Sequence, residues 1–119
     1  HYDDGDPLDV LVMANEPTFP GCIIEARPIG MFRMLDRGVA DDKILAVPAY
    51  DPISQDYYDL PHLPQHFLSE VGHFFEVYTE LEGVPTKALG WERANEAREQ
   101  ILYAVDLYKK VFGNTEPEA

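Results

Sequence analysis

Asp3-Asp4-Gly5-Asp6-Pro7-Leu8-Asp9, running directly into Val10-Leu11-Val12-Met13, is the stretch that orders the reading of this 119-residue chain. It packs four carboxylates into seven residues ahead of an apolar strand. Two carboxylates ~4 Å apart repel by about 1 kcal/mol in water and by about 4 kcal/mol at the dielectric of a protein surface. Several of them gathered at a strand end therefore need protons, basic partners or cations. Hard divalent ions such as Mg²⁺ prefer oxygen donors, which a cluster made only of carboxylates provides. Pro7 fixes its own φ and holds Asp6 extended, which stiffens the loop. These residues alone leave two readings open, a cation site and a charged turn in front of a strand.

Downstream, Asn15 to Gly21 is a proline-rich turn region. Cys22 through Met34 reads as a long extended segment of imperfect two-residue alternation, broken by Pro28 and Gly30 into an edge, a bulge or a bend. Leu35 to Asp42 forms a second acidic loop, and Lys43 to Pro48 the next strand, so the two segments predict an antiparallel hairpin. Tyr50 to Pro64 is loop-like. From about Gln65 to Leu81 the period becomes helical, with Phe67, Leu68, Val71, Phe74, Phe75, Tyr78 and Leu81 on one stripe and Gly83 as the stop. Val84 to Leu89 reads as an extended link leading to Gly90-Trp91. A second amphipathic helix follows from about Asn95, its N-cap, to Phe112, with Ala97, Ile101, Val105, Tyr108 and Phe112 inward and Gly113 as the stop. Strands first and helices last predict an α+β arrangement, one folded unit over 1–113 and a frayed tail over 114–119.

The length suits one modest core. A formal charge of −13 argues against nucleic-acid and anionic-membrane partners, which call for basic faces. No apolar run approaches the length of a membrane span, and no leader peptide is visible. The single cysteine, Cys22, permits no internal disulfide and is expected to pack in the core. The sequence opens on His1 and enters the acidic stretch at once, which predicts an upstream portion.

The second acidic loop adds to the first. Asp36 and Asp41 flank a short turn, and Asp41 and Lys43, two apart, share a face of an extended strand. Two acidic loops with a strand-borne lysine suit metal-assisted phosphoryl chemistry: cations neutralise phosphate oxygens and acidify a bound water, one carboxylate stays free as base, and lysine offers a point charge.

At this point Asp4-Gly5-Asp6-Pro7-Leu8-Asp9-Val10 resembles the signature of the soluble family I inorganic pyrophosphatases, an Asp-x-Asp-Pro-apolar-Asp-apolar stretch. The similarity continues through Pro20-Gly21, Arg27-Pro28-Ile29-Gly30, Met34-x-Asp36 with Asp41-x-Lys43, and Val47-Pro48. It then takes in His73-Phe74-Phe75-Glu76 with Tyr78 and ends in Leu81-Glu82 and Gly90-Trp91. The resemblance implies a five-stranded OB-type β-barrel with flanking helices, incomplete in this chain, where only about three barrel strands are counted. It implies Mg²⁺-dependent hydrolysis of pyrophosphate to two orthophosphates by direct attack of a metal-activated water, with several Mg²⁺ ions per site and Mn²⁺ as a substitute. Asp4, Asp9 and Asp41 would hold the first metal, with Asp9 bridging to a second. Asp36 and Asp41 would hold the Mg²⁺ that arrives with substrate. Asp6 would be the general base, and Lys43 and Tyr78 would bind phosphate. A cytoplasmic homohexamer is the implied assembly, with His73 at a subunit contact.

Two departures accompany the match. Position 79 is Thr where the family usually has a phosphate-binding lysine, so Thr79→Lys is expected to tighten phosphate; Lys87 is a conceivable substitute. The family's upstream part is absent, so this chain alone is expected to be a poor or inactive hydrolase. The alternative is a truncated, non-catalytic cation-binding or assembly module of the same fold. A calcium module is disfavoured, because the helix-loop-helix glycine and terminal glutamate are missing. Among the remaining candidates, Tyr50, Tyr57 and Tyr58 are expected to lie on the core and His62 and His66 on the surface. Trp91 is expected between the two helices, while Asp3 and Asp42 add negative potential.

Overall fold

Ala26–Asp36 forms an eleven-residue strand, β2, on which the rest of the sheet assembles. The computed structural model describes residues 8–14, 19–83 and 85–112. The other strands are β1 (Asp9–Val12), β3 (Val39–Ala40), β4 (Lys43–Pro48) and β5 (Thr86–Arg93). β2 pairs antiparallel with β3, β4 and β5, and β1 joins β4 in parallel. Two helices, α1 (Gln65–Leu81) and α2 (Ala94–Phe112), complete an α+β unit. The sheet does not close among the described residues: β1 pairs only with β4, leaving one edge unpaired. The open barrel expected from the sequence is thus an open, mixed sheet.

β2 is buried on both faces along Ile29–Phe32, which explains its blurred alternation. Phe32 and Met34 join Leu45 and Val47 of β4 under Val71 and Phe75 of α1. Met31 and Ile44 point the other way, against Ala97 and Ile101 on α2. Where Pro28 and Gly30 interrupt the pattern, the register against β4 shifts. Gly30 is needed for close approach, since a Cβ there would lie 2.3 Å from Leu60 Cδ2.

Four readings of the sequence change. Of the link expected over 84–89, Thr86 to Leu89 is the first part of β5, recruited by pairing along β2 rather than by local pattern. The second acidic loop is a two-residue turn, Arg37-Gly38, with φ of 53° and 81°, so Asp36 is a strand residue. Helix stripes are narrower than expected: Phe74, Tyr78, Leu81, Val105 and Tyr108 are exposed, and α1 buries Val71, Gly72, Phe75 and Thr79. Trp91 lies on the α1 side of the sheet, 5.0 Å from the Phe32 ring, and its indole N–H donates to the Leu68 carbonyl. Gly113 and the expected tail over 114–119 lie outside the described residues.

Arg27 fastens the long loop after β4. Its guanidinium donates to the carbonyls of Tyr57, Ser54 and Ala49 and lies 4.3 Å from the Tyr58 ring centroid. Asp59 does the same for α2. Because β5 runs into α2 without a loop, no neighbouring residue is free to cap the helix, and Asn95 falls inside its first turn. Asp59 instead accepts from the amides of Ala94 and Leu60, both at 2.9 Å, and from Arg93 Nε at 2.8 Å. His62, exposed as read from the sequence, steadies the Asp59 segment: its Nδ1 accepts from the amides of Tyr58 and Asp59.

The Arg93 hydrogen bond, opposed by desolvation and aided by the two amides, lowers the Asp59 pKa to about 2. A carboxyl depressed in the folded state stabilises fully above its unfolded value of about 4 and loses that contribution as pH falls toward 2. Asp59→Asn is therefore expected to lower the urea midpoint at pH 6, with the gap to wild type closing as pH falls from about 4 to about 2. A gap that stays constant over that range would exclude the carboxylate as its source.

Candidate active site

The register of β1 against β4 makes Asp9 and Lys43 neighbours, and Phe32 and then Trp91 continue the same row across β2 and β5. Alternation places Lys43 on the α1 face with Leu45 and Val47. Its ammonium lies 2.7 Å from Asp9 Oδ2 and 3.1 and 3.0 Å from the two oxygens of Asp41. The two acidic segments, 32 positions apart in the chain, thus meet on one cation. The Lys43 side chain is 7% exposed, that of Asp41 18%, and that of Asp9 61%. Burial pulls the Lys43 pKa down, but hydrogen bonds to Asp9 and then Asp41 more than offset this and hold it above its ordinary value.

Asp36 ends β2 opposite Thr86 of β5 and lies on the α1 face by its two-residue spacing from Phe32 and Met34. Its Oδ1 is 3.6 Å from Arg37 Nε. Asp41 is held near this strand end by its amide, which donates to the Met34 carbonyl. Asp42 points to the opposite face, buried, with Arg33 Nε 3.9 Å away. Tyr78 is on α1, half exposed and stacked on Phe74 at 6.2 Å. Asp4 and Asp6 lie outside the described residues.

The donor set fits a hard divalent ion in kind, since oxygens from β1 and from the link between β3 and β4 converge on one positive charge. Among the described residues no three acidic, histidine or cysteine side chains come close enough to share an ion. The described portion supplies two carboxylates at one point and Asp36 nearby. Thr79 has a packing role that the sequence did not disclose. Its hydroxyl is buried and lies 2.9 Å from the Glu76 carbonyl, 3.1 Å from that of Phe75 and 3.2 Å from Thr86 Oγ1. Only the cross-strand register of β5, invisible as local pattern, could have revealed it.

Carboxylates gathered round a buried lysine at one end of an open sheet are what the described residues contribute to the candidate site. A family model described as inorganic pyrophosphatase matches residues 1–109. An inorganic pyrophosphatase of Haloferax volcanii is 47% identical over 113 residues, covering 94% of this chain and 64% of the relative. One from Streptomyces coelicolor is 44% identical over 113 residues, covering 94% of this chain and 69% of the relative. The crystal structure of the Thermus thermophilus inorganic pyrophosphatase superposes with a TM-score of 0.81 at 34% identity, covering 90% of this chain and 63% of that one. The chain belongs to the inorganic pyrophosphatase family. It spans 64% of the length of the Haloferax relative.

Proposed function

We propose that the protein containing this chain hydrolyses inorganic pyrophosphate to two orthophosphates with Mg²⁺, and that Mn²⁺ can replace it. The observation that carries this reading is the Lys43 ammonium held between Asp9 and Asp41, in a chain whose relatives are named inorganic pyrophosphatases. Asp4, Asp9 and Asp41 are the residues for a first ion, Asp9 also for a second, and Asp36 with Asp41 for the one that enters with substrate. Cations bound there would neutralise the diphosphate and acidify a water. Asp6 takes the proton of the attacking water as its oxygen bonds to phosphorus and the bridging P–O bond breaks. Lys43 and Tyr78 bind phosphate oxygens, and holding nucleophile and diphosphate together lowers the barrier through positioning and preorganised charge.

The proposal extends to a homo-oligomer, hexameric by family resemblance, working in the cytoplasm without nucleic-acid or membrane partners. The apolar side chains left exposed on α1, Phe74 and Leu81, are in keeping with a subunit contact. No helix among the described residues is long and apolar enough to cross a membrane. The test is phosphate release from pyrophosphate, comparing this chain with a form extended upstream to the length of its relatives. The extended form is expected to turn over only with the divalent ion, and the chain alone, which spans 64% of the length of the Haloferax relative, poorly or not at all. Absence of Mg²⁺-dependent release from the extended form would leave the non-catalytic module as the reading.

A further inference from the structure

We infer that the hydroxyl pair Thr79–Thr86 is a positioning element for the Asp36 carboxylate, and so sets the affinity of the site for its divalent ion. The inference rests on the metal-binding reading of Asp36 proposed above. Along the α1 face, β2 presents Phe32, Met34 and Asp36 in turn, and β5 presents Trp91, Ala88 and Thr86 beside them. The row that is apolar at Phe32 and Met34 turns polar at its end, where a hydrogen-bonded hydroxyl pair borders a carboxylate. Thr79 is 2% exposed. The 3.2 Å bond to Thr86 can run either way: Thr86 donates when the single Thr79 proton goes to a helix carbonyl, and Thr79 donates when it does not. Either way the last turn of α1 is tied to the first residue of β5.

That residue and its predecessor in turn hold the end of β2. Thr86 is the register partner of Asp36, and the Pro85 carbonyl accepts from the Arg37 amide at 2.9 Å. Arg37 follows with a positive φ, so the chain reverses immediately after the carboxylate. A strand-end carboxylate before a tight turn depends on its lateral neighbour for position. Groups that orient a metal ligand without touching the metal commonly change affinity by about ten- to a hundredfold when removed.

Thr79→Val and Thr86→Val keep the side-chain shape and delete the hydroxyl. Mn²⁺ binding, followed by electron paramagnetic resonance on the upstream-extended protein, is expected to weaken about tenfold in each. Thr79→Ser, which keeps the hydroxyl, should retain wild-type affinity. In an Asp36→Asn background, Thr79→Val should have little further effect, because it acts through that carboxylate. A fall in melting temperature with unchanged Mn²⁺ affinity would make the pair purely structural and overturn the inference. So would full additivity with Asp36→Asn. If Thr79→Val does not fold, the half-buried Thr86→Val carries the same test. Wild-type protein that binds no Mn²⁺ would overturn the metal reading itself, an outcome distinct from wild type and variants binding equally.

Discussion

Lys43→Met in the upstream-extended protein is expected to lower Mg²⁺-dependent phosphate release from pyrophosphate by about 100- to 1000-fold, the usual cost of deleting one preorganised charge-stabilising group. Divalent-ion binding should tighten rather than weaken. Lys43 lies against Asp9 and Asp41 at hydrogen-bond distance, so its ammonium competes with any cation for the same oxygens. The fold should survive, because Asp9 is largely solvated and the methionine stem fills the space of the lysine carbons over the same strand. Removing the other partner has the reverse character. Asp41→Ala strands part of a buried ammonium, which is the costlier half of an ion pair to leave alone. Isothermal titration with Mn²⁺ alongside a phosphate-release assay separates the two effects. A Lys43→Met protein with near-wild-type turnover would remove Lys43 from the phosphate site.

How far the sequence could be read depended on how local each cause was. The antiparallel pairing of β2 with β4 and the span of α1 followed from short-range pattern, and Gly83 stops α1 with φ of 75°. The interruption at Pro28 and Gly30 became a register shift for the same reason. What could not be read arose from partners far along the chain. β5 carries no strong strand pattern and exists because β2 offers it a ladder. Asp59 caps a helix that begins 35 residues later. Thr79 looked like a vacancy in a phosphate-binding set and is a buried bridge to Thr86. Of the seven residues assigned to the site from sequence, Asp9, Asp41 and Lys43 meet directly, and register places Asp36 on their face. Tyr78 stacks on Phe74, and Asp4 and Asp6 lie outside the described residues. Charge pattern could place acidic groups near strand ends, but it could not give the parallel β1–β4 pairing that sets Asp9 beside Lys43.

Phe32→Ala is expected to destabilise the fold by about 3–5 kcal/mol, the usual cost of opening a phenylalanine-sized cavity in a core. Against a total of about 5–15 kcal/mol for a domain of this kind, that is a large share. The ring is 4% exposed, stacks on Phe75 at 5.8 Å and tilts against Trp91 at 5.0 Å. Relaxation can do little to refill the space, because Gly72 already brings the α1 backbone close: a Cβ on it would be 3.1 Å from the Phe32 ring. Phe32 is also the register partner of Lys43, so its side chain is the cross-strand neighbour of the lysine whose ammonium Asp9 and Asp41 hold. Emptying it lets water reach that charge and weakens its fixed position. Phe75→Ala removes a comparable ring that has no such place beside Lys43. The two variants should therefore lose similar stability in urea titrations followed by Trp91 fluorescence. At temperatures where both remain folded, only Phe32→Ala should also raise the pyrophosphate KM of the extended protein. Equal KM values in the two variants would show that the aromatic row supports the core without tuning the lysine.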